Sequence, residues 1–255
     1  SYGSSLFSGH VGNPLANIDI KDVDSYTLIK DGASMYGTRG ANGVLLITTN
    51  HAKSQATTID FAAYGAYNSK VSNLPVMNAN DFRVYLSDLL KTVPGETDAT
   101  IQMKPYMNDN PNPDYYRYHN ETNWQNEVMD NSYSQNYYLK VTGGDDIATY
   151  GLSVGYLKED GIISKTNLQR YQTRFNADLN LSKKLTSNVS LSFVNNQQNL
   201  ENQGLAPKTS LLYLGLVKSP FMAPHDINAA GEQSPNFAGY DSLNISNPSA
   251  IMDKM

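Results

Sequence analysis

The chain has 255 residues and a formal net charge of -5, which argues against a nucleic-acid-binding protein because such a protein would carry a basic stripe. It contains no cysteine, which excludes a disulfide scaffold, a thiolate metal site and a cysteine nucleophile. Only 17% of its residues are charged, and its 18 tyrosines against 7 phenylalanines favour surfaces that contact a protein or a membrane, because tyrosine combines an apolar ring with a polar hydroxyl.

The first strong pattern along the chain predicts two strands joined by a glycine-rich segment. An apolar run ends at Ile29, and the run from 44 to 49 is β-branched and almost uncharged. The second run predicts a strand that is buried on both faces. Between the two runs, Gly37, Gly40 and Gly43 permit positive φ angles, so we expect the backbone to turn back tightly there.

The segment that joins the two strands carries a motif. It runs Tyr36-Gly37-Thr38-Arg39-Gly40-Ala41-Asn42-Gly43-Val44 and is followed by Ile47-Thr48-Thr49. At nearly every position this run resembles the plug-domain signature of TonB-dependent outer-membrane transporters, and the SusC/RagA branch of that family in particular. One departure is that the segment between Asp31 and Tyr36 is shorter than the usual family pattern.

Several later segments alternate between apolar and polar side chains with a period of two, which indicates strands. A clear example has Tyr171 and Phe175 on one face and Arg170 and Arg174 on the other. A soluble antiparallel sandwich would show the same alternation, so the pattern alone leaves both folds open. The predicted strands cover residues 59–67, 137–143, 149–157, 170–181 and 185–194.

Strand length and polarity favour a transmembrane β-barrel over the sandwich. The cleanest segments are about ten residues long, which is the length that a tilted strand needs to cross a bilayer. The face opposite the apolar one is strongly polar, as a water-filled interior requires. Arg170 and Arg174 would each cost ~2–4 kcal/mol if they faced lipid near the midplane, so we expect both to face inward.

Loop lengths add a third feature in favour of a barrel. The segments Gly143-Gly144-Asp145-Asp146 and Ser182-Lys183-Lys184 are tight turns, whereas the connections at 68–136, 158–169 and 195 onward are predicted to be long. If the plug enters from the periplasm, counting strands places both tight turns in the periplasm. Short turns on one side and long loops on the other are typical of outer-membrane barrels.

The long loop at 68–136 contains helical signals. Apolar residues from Phe82 to Leu90 have helical spacing and predict a helix with Asn80 as its N-cap. A second short helix is predicted within residues 207–217. The run from Trp124 to Tyr171 resembles the first barrel hairpins of SusC-like transporters, and the sequence around Pro248 resembles the family's loop before a later strand.

Signals for catalysis or metal binding are weak. The histidines His10, His51, His119 and His225 do not lie at metal-ligand spacing. The sequence has no nucleophile elbow, phosphate loop or HExxH motif, and no twelve-residue calcium loop. We therefore predict that the protein is not an enzyme and has neither a cofactor nor a metal site.

The resemblance implies a mainly β fold, with an N-terminal α+β plug domain inside a transmembrane antiparallel β-barrel of about 22 strands in the full protein. Residues 1–55 would form the C-terminal part of the plug domain. Residues 56–255 would form the N-terminal part of the barrel, with long extracellular loops. The chain would then be a fragment, and TonB would act through a segment upstream of Ser1.

The implied function is TonB-dependent active import of a nutrient, by family default a glycan or oligosaccharide, across the outer membrane of a Gram-negative, Bacteroidota-like bacterium. The implied partners are a SusD-like surface lipoprotein, TonB and membrane lipid, and no nucleic acid. One alternative is a peptide importer of the same family. Another is a secreted or surface β-rich glycan-binding adhesin without transport, and a signal-transducing receptor would need an extra N-terminal domain.

Two groups of candidate site residues follow. Arg39 could pair with Asp31 or with an acidic residue of the barrel wall during transport, or it could only stabilise the plug fold. The aromatic residues of the long loop could stack on substrate or could pack within the loop. The plug and gating candidates are Lys30, Asp31, Tyr36, Gly37, Arg39, Gly40, Asn42 and Gly43, and the candidate substrate or lipoprotein contacts are Tyr115, Tyr116, Tyr118 and Trp124.

Overall fold

A computed structural model describes residues 14–30, 32–51, 55–109, 113–201 and 209–254. These residues form a small hairpin, a five-stranded sheet and a set of short helices with a second small hairpin. The described chain is thus mainly β and its sheets are antiparallel. Within the described ranges, no helix is both long enough and apolar enough to cross a membrane.

The first hairpin pairs strand β1, Val23–Ile29, with strand β2, Val44–Thr49. The connection contains helix α1, Ala33–Tyr36, and a 3₁₀ turn, Gly37–Gly40. The prediction that β2 is buried on both faces is wrong, since Leu45 and Leu46 are 44% and 46% exposed. The sheet has only two strands, and little of the described chain covers its faces.

The five-stranded sheet is an antiparallel meander in which each strand pairs with the next in sequence. The five predicted strands are confirmed, but each is longer than predicted because polar residues extend the alternation at the ends. We call the end next to residues 69–131 the loop end and the opposite end the turn end. The strands are β3, Gln55–Asn68; β4, Ser132–Gly144; β5, Ala148–Asp160; β6, Asn167–Ser182; and β7, Leu185–Asn199.

Tight connections at the turn end are confirmed, with three residues between β4 and β5 and two between β6 and β7. The long connection predicted at 158–169 is wrong. Strand β5 continues to Asp160 and β6 begins at Asn167, so only residues 161–166 connect them. The N–H of Gly161 donates to the carbonyl of Thr166 at 2.9 Å and closes this turn.

The two faces of the sheet differ sharply. On the apolar face, Ile59 and Phe61 of β3 are 70% and 68% exposed. On the polar face, Arg170 of β6 is only 6% exposed. Tyrosines cluster on the apolar face near the loop end, where Tyr137, Tyr156 and Tyr171 come from three adjacent strands in one register row.

Short helices pack together next to the loop end around the buried side chains of Leu86, Trp124 and Phe221. The predicted helix in the long loop is confirmed as α2, Ala79–Lys91, but its N-cap is Asn78 and not Asn80. The Asn78 side chain accepts a hydrogen bond from the Asp81 N–H at 2.8 Å, and this sets the helix start two residues earlier than predicted.

The remaining elements are short. Helices α3, Asp98–Gln102, α4, Tyr115–Tyr118, and α5, Trp124–Val128, follow α2. The helix predicted within 207–217 is α6, Leu211–Val217, and residues 207 and 208 lie outside the described ranges. Strands β8, His225–Ile227, and β9, Gln233–Phe237, form a hairpin. The loop expected around Pro248 is instead helix α7, Pro248–Met252, because Asn247 caps it and proline favours a first helical position.

Candidate functional site

The strongest polar contact between distant parts of the chain joins residues 17–22, which we call the anchor segment, to the polar face of the large sheet. Nη2 of Arg170 donates to Oδ2 of Asp19 at 2.9 Å, and Nη1 donates to the carbonyl of Ile18 at 3.3 Å. Asp19 is 4% exposed and Arg170 is 6% exposed, so this ion pair is shielded from water.

Asp22 is the second acidic contact and receives donors from three strands. Its Oδ1 accepts the hydroxyl of Tyr138 at 2.5 Å and that of Ser153 at 2.9 Å. Its Oδ2 accepts Nε2 of Gln172 at 3.2 Å and lies 3.7 Å from Nε of Arg174. These donors offset part of the cost of burying the Asp22 carboxylate.

Local backbone geometry explains why both acids point the same way. Residues 20–22 form a 3₁₀ helix, and Asp19 is its N-cap, accepting the Lys21 N–H at 2.9 Å. Side chains three residues apart eclipse in a 3₁₀ helix, which puts Asp19 and Asp22 on one side. Asp24 lies beyond this turn and is exposed, so it serves as a natural comparison.

Two asparagines of the large sheet, Asn136 and Asn176, extend the interface at the C-terminal end of the anchor segment. Nζ of Lys21 lies 3.4 Å from Oδ1 of Asn136. At the end of β2, the N–H of Asn50 donates to the carbonyl of Asp22 at 2.9 Å, and the Asn50 carbonyl accepts Nδ2 of Asn176 at 3.1 Å. The anchor segment and Asn50 together hold the first hairpin against the sheet.

The predicted gating residues lie in the connection between β1 and β2. Lys30, Tyr36, Gly37, Arg39 and Asn42 are exposed, and Asp31 lies outside the described residues. Among the described residues, no acidic group lies within ion-pair distance of Arg39, and no hydrogen bond joins this connection to the large sheet.

Two of the three glycines in this connection adopt the predicted positive φ, with 68° at Gly37 and 108° at Gly43. For Gly40 that prediction is wrong, since it is not among the positive-φ glycines. It is needed because of close approach: a Cβ there would lie 2.8 Å from the carbonyl oxygen of Gly32.

The candidate aromatic contacts divide into packed and accessible side chains. Trp124 is 2% exposed, and its Nε1 donates to the carbonyl of Ser219 at 2.9 Å. Tyr118 packs edge-on against Phe221 in the same cluster. Tyr115 stacks on the His119 ring with centroids 3.9 Å apart, and Tyr116 is 47% exposed. Substrate contact therefore stays a prediction, and it fits Tyr115 and Tyr116 better than the two packed residues.

Asp19 and Asp22 were not among the residues predicted from the sequence, whereas the prediction that Arg170 and Arg174 lie on the polar face is confirmed. A signal for the missed acids exists, because two arginines on an inward polar face need acidic partners from elsewhere in the chain. The segment Ile18-Asp19-Ile20-Lys21-Asp22 also breaks the strand pattern before β1 with two acids at 3₁₀ spacing.

Comparisons with known proteins find sequence similarity between this chain and TonB-dependent receptors. No protein-family model matches it. It is 23% identical over 205 residues to the TonB-dependent receptor SusC of Bacteroides thetaiotaomicron, which covers 77% of this chain and 18% of that protein. It is 28% identical over 201 residues to the TonB-dependent receptor P26 of Formosa agariphila, covering 76% of this chain and 19% of that protein.

The fold resembles a solved transporter. The structure of the RagAB peptide transporter matches 92% of this chain and 28% of its own, with a TM-score of 0.65 and 18% identity. The RagAB peptide importer in its "open-open" state gives the same TM-score. The chain spans about a fifth of the length of the curated relatives it matches. The chain is SusC/RagA-like: over most of its length its sequence is similar to those of TonB-dependent receptors, and its fold is similar to that of the RagAB transporter.

Proposed function

We propose that this chain is part of a TonB-dependent importer of the bacterial outer membrane. Residues 1–55 form the C-terminal part of a plug, and residues 56–255 form the first strands of the surrounding barrel with their extracellular loops. The observation that carries the proposal is the anchor segment, which docks two acidic side chains onto the polar face of a sheet whose other face is apolar and exposed.

The sheet supports the barrel part of the proposal. Its apolar face suits lipid, and its row of tyrosines near the loop end matches the aromatic girdle of outer-membrane barrels. The outer edges of β3 and β7 have no partner strand among the described residues. Five strands cannot enclose a plug, and plugged transporters use about 22 strands, so further strands of the whole protein would pair with these edges.

The mechanism is gated passage without covalent chemistry. In the resting state the contacts of Asp19 and Asp22 keep the first hairpin seated against the wall. Force from TonB on an upstream segment would separate or rearrange these contacts, and water would then solvate the freed charges. The exposed Arg39 in the β1–β2 connection is available to form a new ion pair in the open state.

We propose a SusD-like lipoprotein as the extracellular partner and an oligosaccharide or a peptide as the cargo. The relatives include a receptor named SusC and a peptide transporter named RagAB. Helices α2 to α7 beside the loop end form what we call the helical layer. This layer offers the surface for such a partner, with Tyr115 and Tyr116 at its accessible side.

Uptake by cells that carry the intact transporter tests this proposal. Radiolabelled glycan and peptide mixtures should enter only when TonB is present, and deletion of the lipoprotein should reduce uptake. The rival function is a surface adhesin. If the 255-residue chain alone is soluble, monomeric and cooperatively folded in water, the adhesin is favoured and the importer is contradicted.

A further inference from the structure

A cavity of about 510 Å³ opens on the polar face of the large sheet at the loop end. Ser134 of β4 and Leu168 of β6 line it. Each lies two residues along its strand from an anchor contact, since Asn136 meets Lys21 and Arg170 meets Asp19. The cavity therefore lies next to the anchor segment, on the same face of the sheet and closer to the loop end.

The cavity is lined by aliphatic side chains, among them Ile162, Leu168 and Leu200, together with hydrogen-bonding and acidic groups. Amide and hydroxyl groups come from side chains such as Asn68, Ser132 and Gln198. Its acids are Glu159, Asp160 and Glu201, and among the described lining residues none is basic and none is aromatic. A neutral sugar ring would find no aromatic face to stack on here, whereas a cation would find several acceptors.

Glu201 is the residue that points to a ligand. It is 4% exposed, and among the described residues neither of its carboxylate oxygens has a hydrogen-bond partner. A buried carboxylate without donors is costly, so an arriving donor gains more here than at an exposed acid. Burial raises the pKa of Glu201 to about 7, and the backbone N–H of Leu211 offsets only part of that rise without reaching hydrogen-bond geometry.

The other acids differ from Glu201 in their partners. Asp160 lies 3.4 Å from Nζ of Lys158 and is already paired. Glu159 faces the cavity from β5, while the described lining residues from β3, β4, β6 and β7 are uncharged. Glu201 therefore dominates the response of this cavity to a cation, with Glu159 as the second acid.

We propose that this cavity binds an ammonium or guanidinium group of the imported molecule, with Glu201 as its counter-ion. The inference rests on the proposed import function and names its cargo as peptides with free amines, in preference to neutral oligosaccharides. Because burial raises the pKa of Glu201 to about 7, a cation that binds the carboxylate favours loss of its proton, so cation binding near pH 7 releases protons.

Titration calorimetry on the purified intact transporter with its partner lipoprotein tests the inference. The probes are a hexapeptide of alternating lysine and alanine, the same peptide acetylated on every amine, and a neutral hexasaccharide. The free peptide should bind about tenfold to a hundredfold more tightly than the acetylated one, because charge-assisted hydrogen bonds are lost on acetylation. Repeating the titration in buffers of different ionisation enthalpy should reveal the released protons.

Glu201→Gln should abolish the preference for the free peptide and the proton release, whereas Asp253→Asn, which removes an exposed carboxylate elsewhere, should change neither. Far-ultraviolet circular dichroism of the intact complex checks that both variants are folded. Equal binding of the two peptides, binding of neither, or an unchanged preference in Glu201→Gln would overturn the inference. None of these results bears on TonB-dependent uptake. Loss of that uptake would instead contradict the proposed function.

Discussion

Nη2 of Arg170 donates to Oδ2 of Asp19 at 2.9 Å, a contact that spans 151 positions of sequence. Both partners are almost fully buried, and the carbonyl of Ile18 accepts a second guanidinium N–H. One arginine of β6 thus contacts both the backbone and a side chain of the anchor segment. An interaction of this kind specifies one seated position, because leaving either charge without its partner is expensive.

Removing Arg170 should loosen the anchor segment. Arg170→Ala leaves Asp19 buried without its cation, and we expect a loss of about 3 kcal/mol in the local opening free energy of residues 17–22. Hydrogen exchange of these amides in the intact, detergent-solubilised protein measures that loss. The double variant Arg170→Ala with Asp19→Ala should recover part of the loss because no uncompensated charge stays buried, and strict additivity of the two single variants would contradict a direct interaction.

Substitution of Asp22 should destabilise the structure around it more than substitution of its neighbour Asp24. Asp22→Asn removes the negative charge that Arg174 faces and two acceptor positions, whereas Asp24→Asn changes an exposed side chain. We expect a local destabilisation of about 2 kcal/mol or more for Asp22→Asn and less than about 0.5 kcal/mol for Asp24→Asn. The same exchange measurement applies, and equal effects of the two variants would show that Asp22 is not a fixed contact.

The helical layer should become more stable as the pH rises above 8. Lys218 is 3% exposed, its Nζ donates to the carbonyls of Gly239 and Ile245, and burial lowers its pKa to about 8. The unfolded chain keeps this proton up to about pH 10.5, so the unfolded state binds more protons between the two values and stability rises there, by at most about 3 kcal/mol.

Trp124 is the single tryptophan of the 255 residues and hydrogen-bonds next to Lys218. In the intact transporter with every other tryptophan replaced by phenylalanine, its fluorescence in urea at pH 7.5, 8.5 and 9.5 reports this change. Lys218→Met should remove the pH slope, and Lys254→Met, at an exposed lysine, should keep it. A slope that persists in Lys218→Met would assign the effect to another group.

Phe221 should be the most costly single truncation in the helical layer. It is fully buried and contacts the rings of Phe82, Tyr106 and Tyr118. Phe221→Ala should destabilise the layer by about 3–5 kcal/mol through lost burial and a cavity. Tyr240→Ala, at a side chain that is 59% exposed, should cost less than about 0.5 kcal/mol in the same urea titration.

Substitutions of Arg39 test whether this residue takes part in the movement of the plug or only stabilises the plug fold. If Arg39 forms an ion pair in the open state, Arg39→Ala should abolish uptake at normal surface expression, and Arg39→Lys should restore part of it because the charge is kept. Normal uptake in Arg39→Ala would rule out the dynamic role.

Much of the sheet could be predicted from the sequence because period-two alternation survives in every strand. The alternation also placed Arg170 and Arg174 on the correct face. The strand ends were harder, because polar residues such as Ser132 and Asn199 belong to strands here, and their composition favours loops. The length of the connection at 161–166 was overestimated for the same reason.

The candidate site could be predicted only in part. The glycine-rich motif indicates where the backbone turns back tightly, so this part of the site could be predicted from the sequence. The partners of Arg170 are separated from it by 151 positions, and a contact of that kind depends on how two elements dock. Burial of Trp124 was also invisible, since an aromatic residue in a turn-rich segment suits either a surface or a core.

The most direct test of the central claim is the electrical conductance of the intact transporter in a planar lipid bilayer. The unmodified protein should be closed, and the variant that combines Asp22→Asn with Arg170→Ala should show a steady ion conductance, because its plug no longer seats against the wall. A double variant that stays as closed as the unmodified protein and imports cargo at the normal rate would contradict a gate held by the contacts of Asp19 and Asp22.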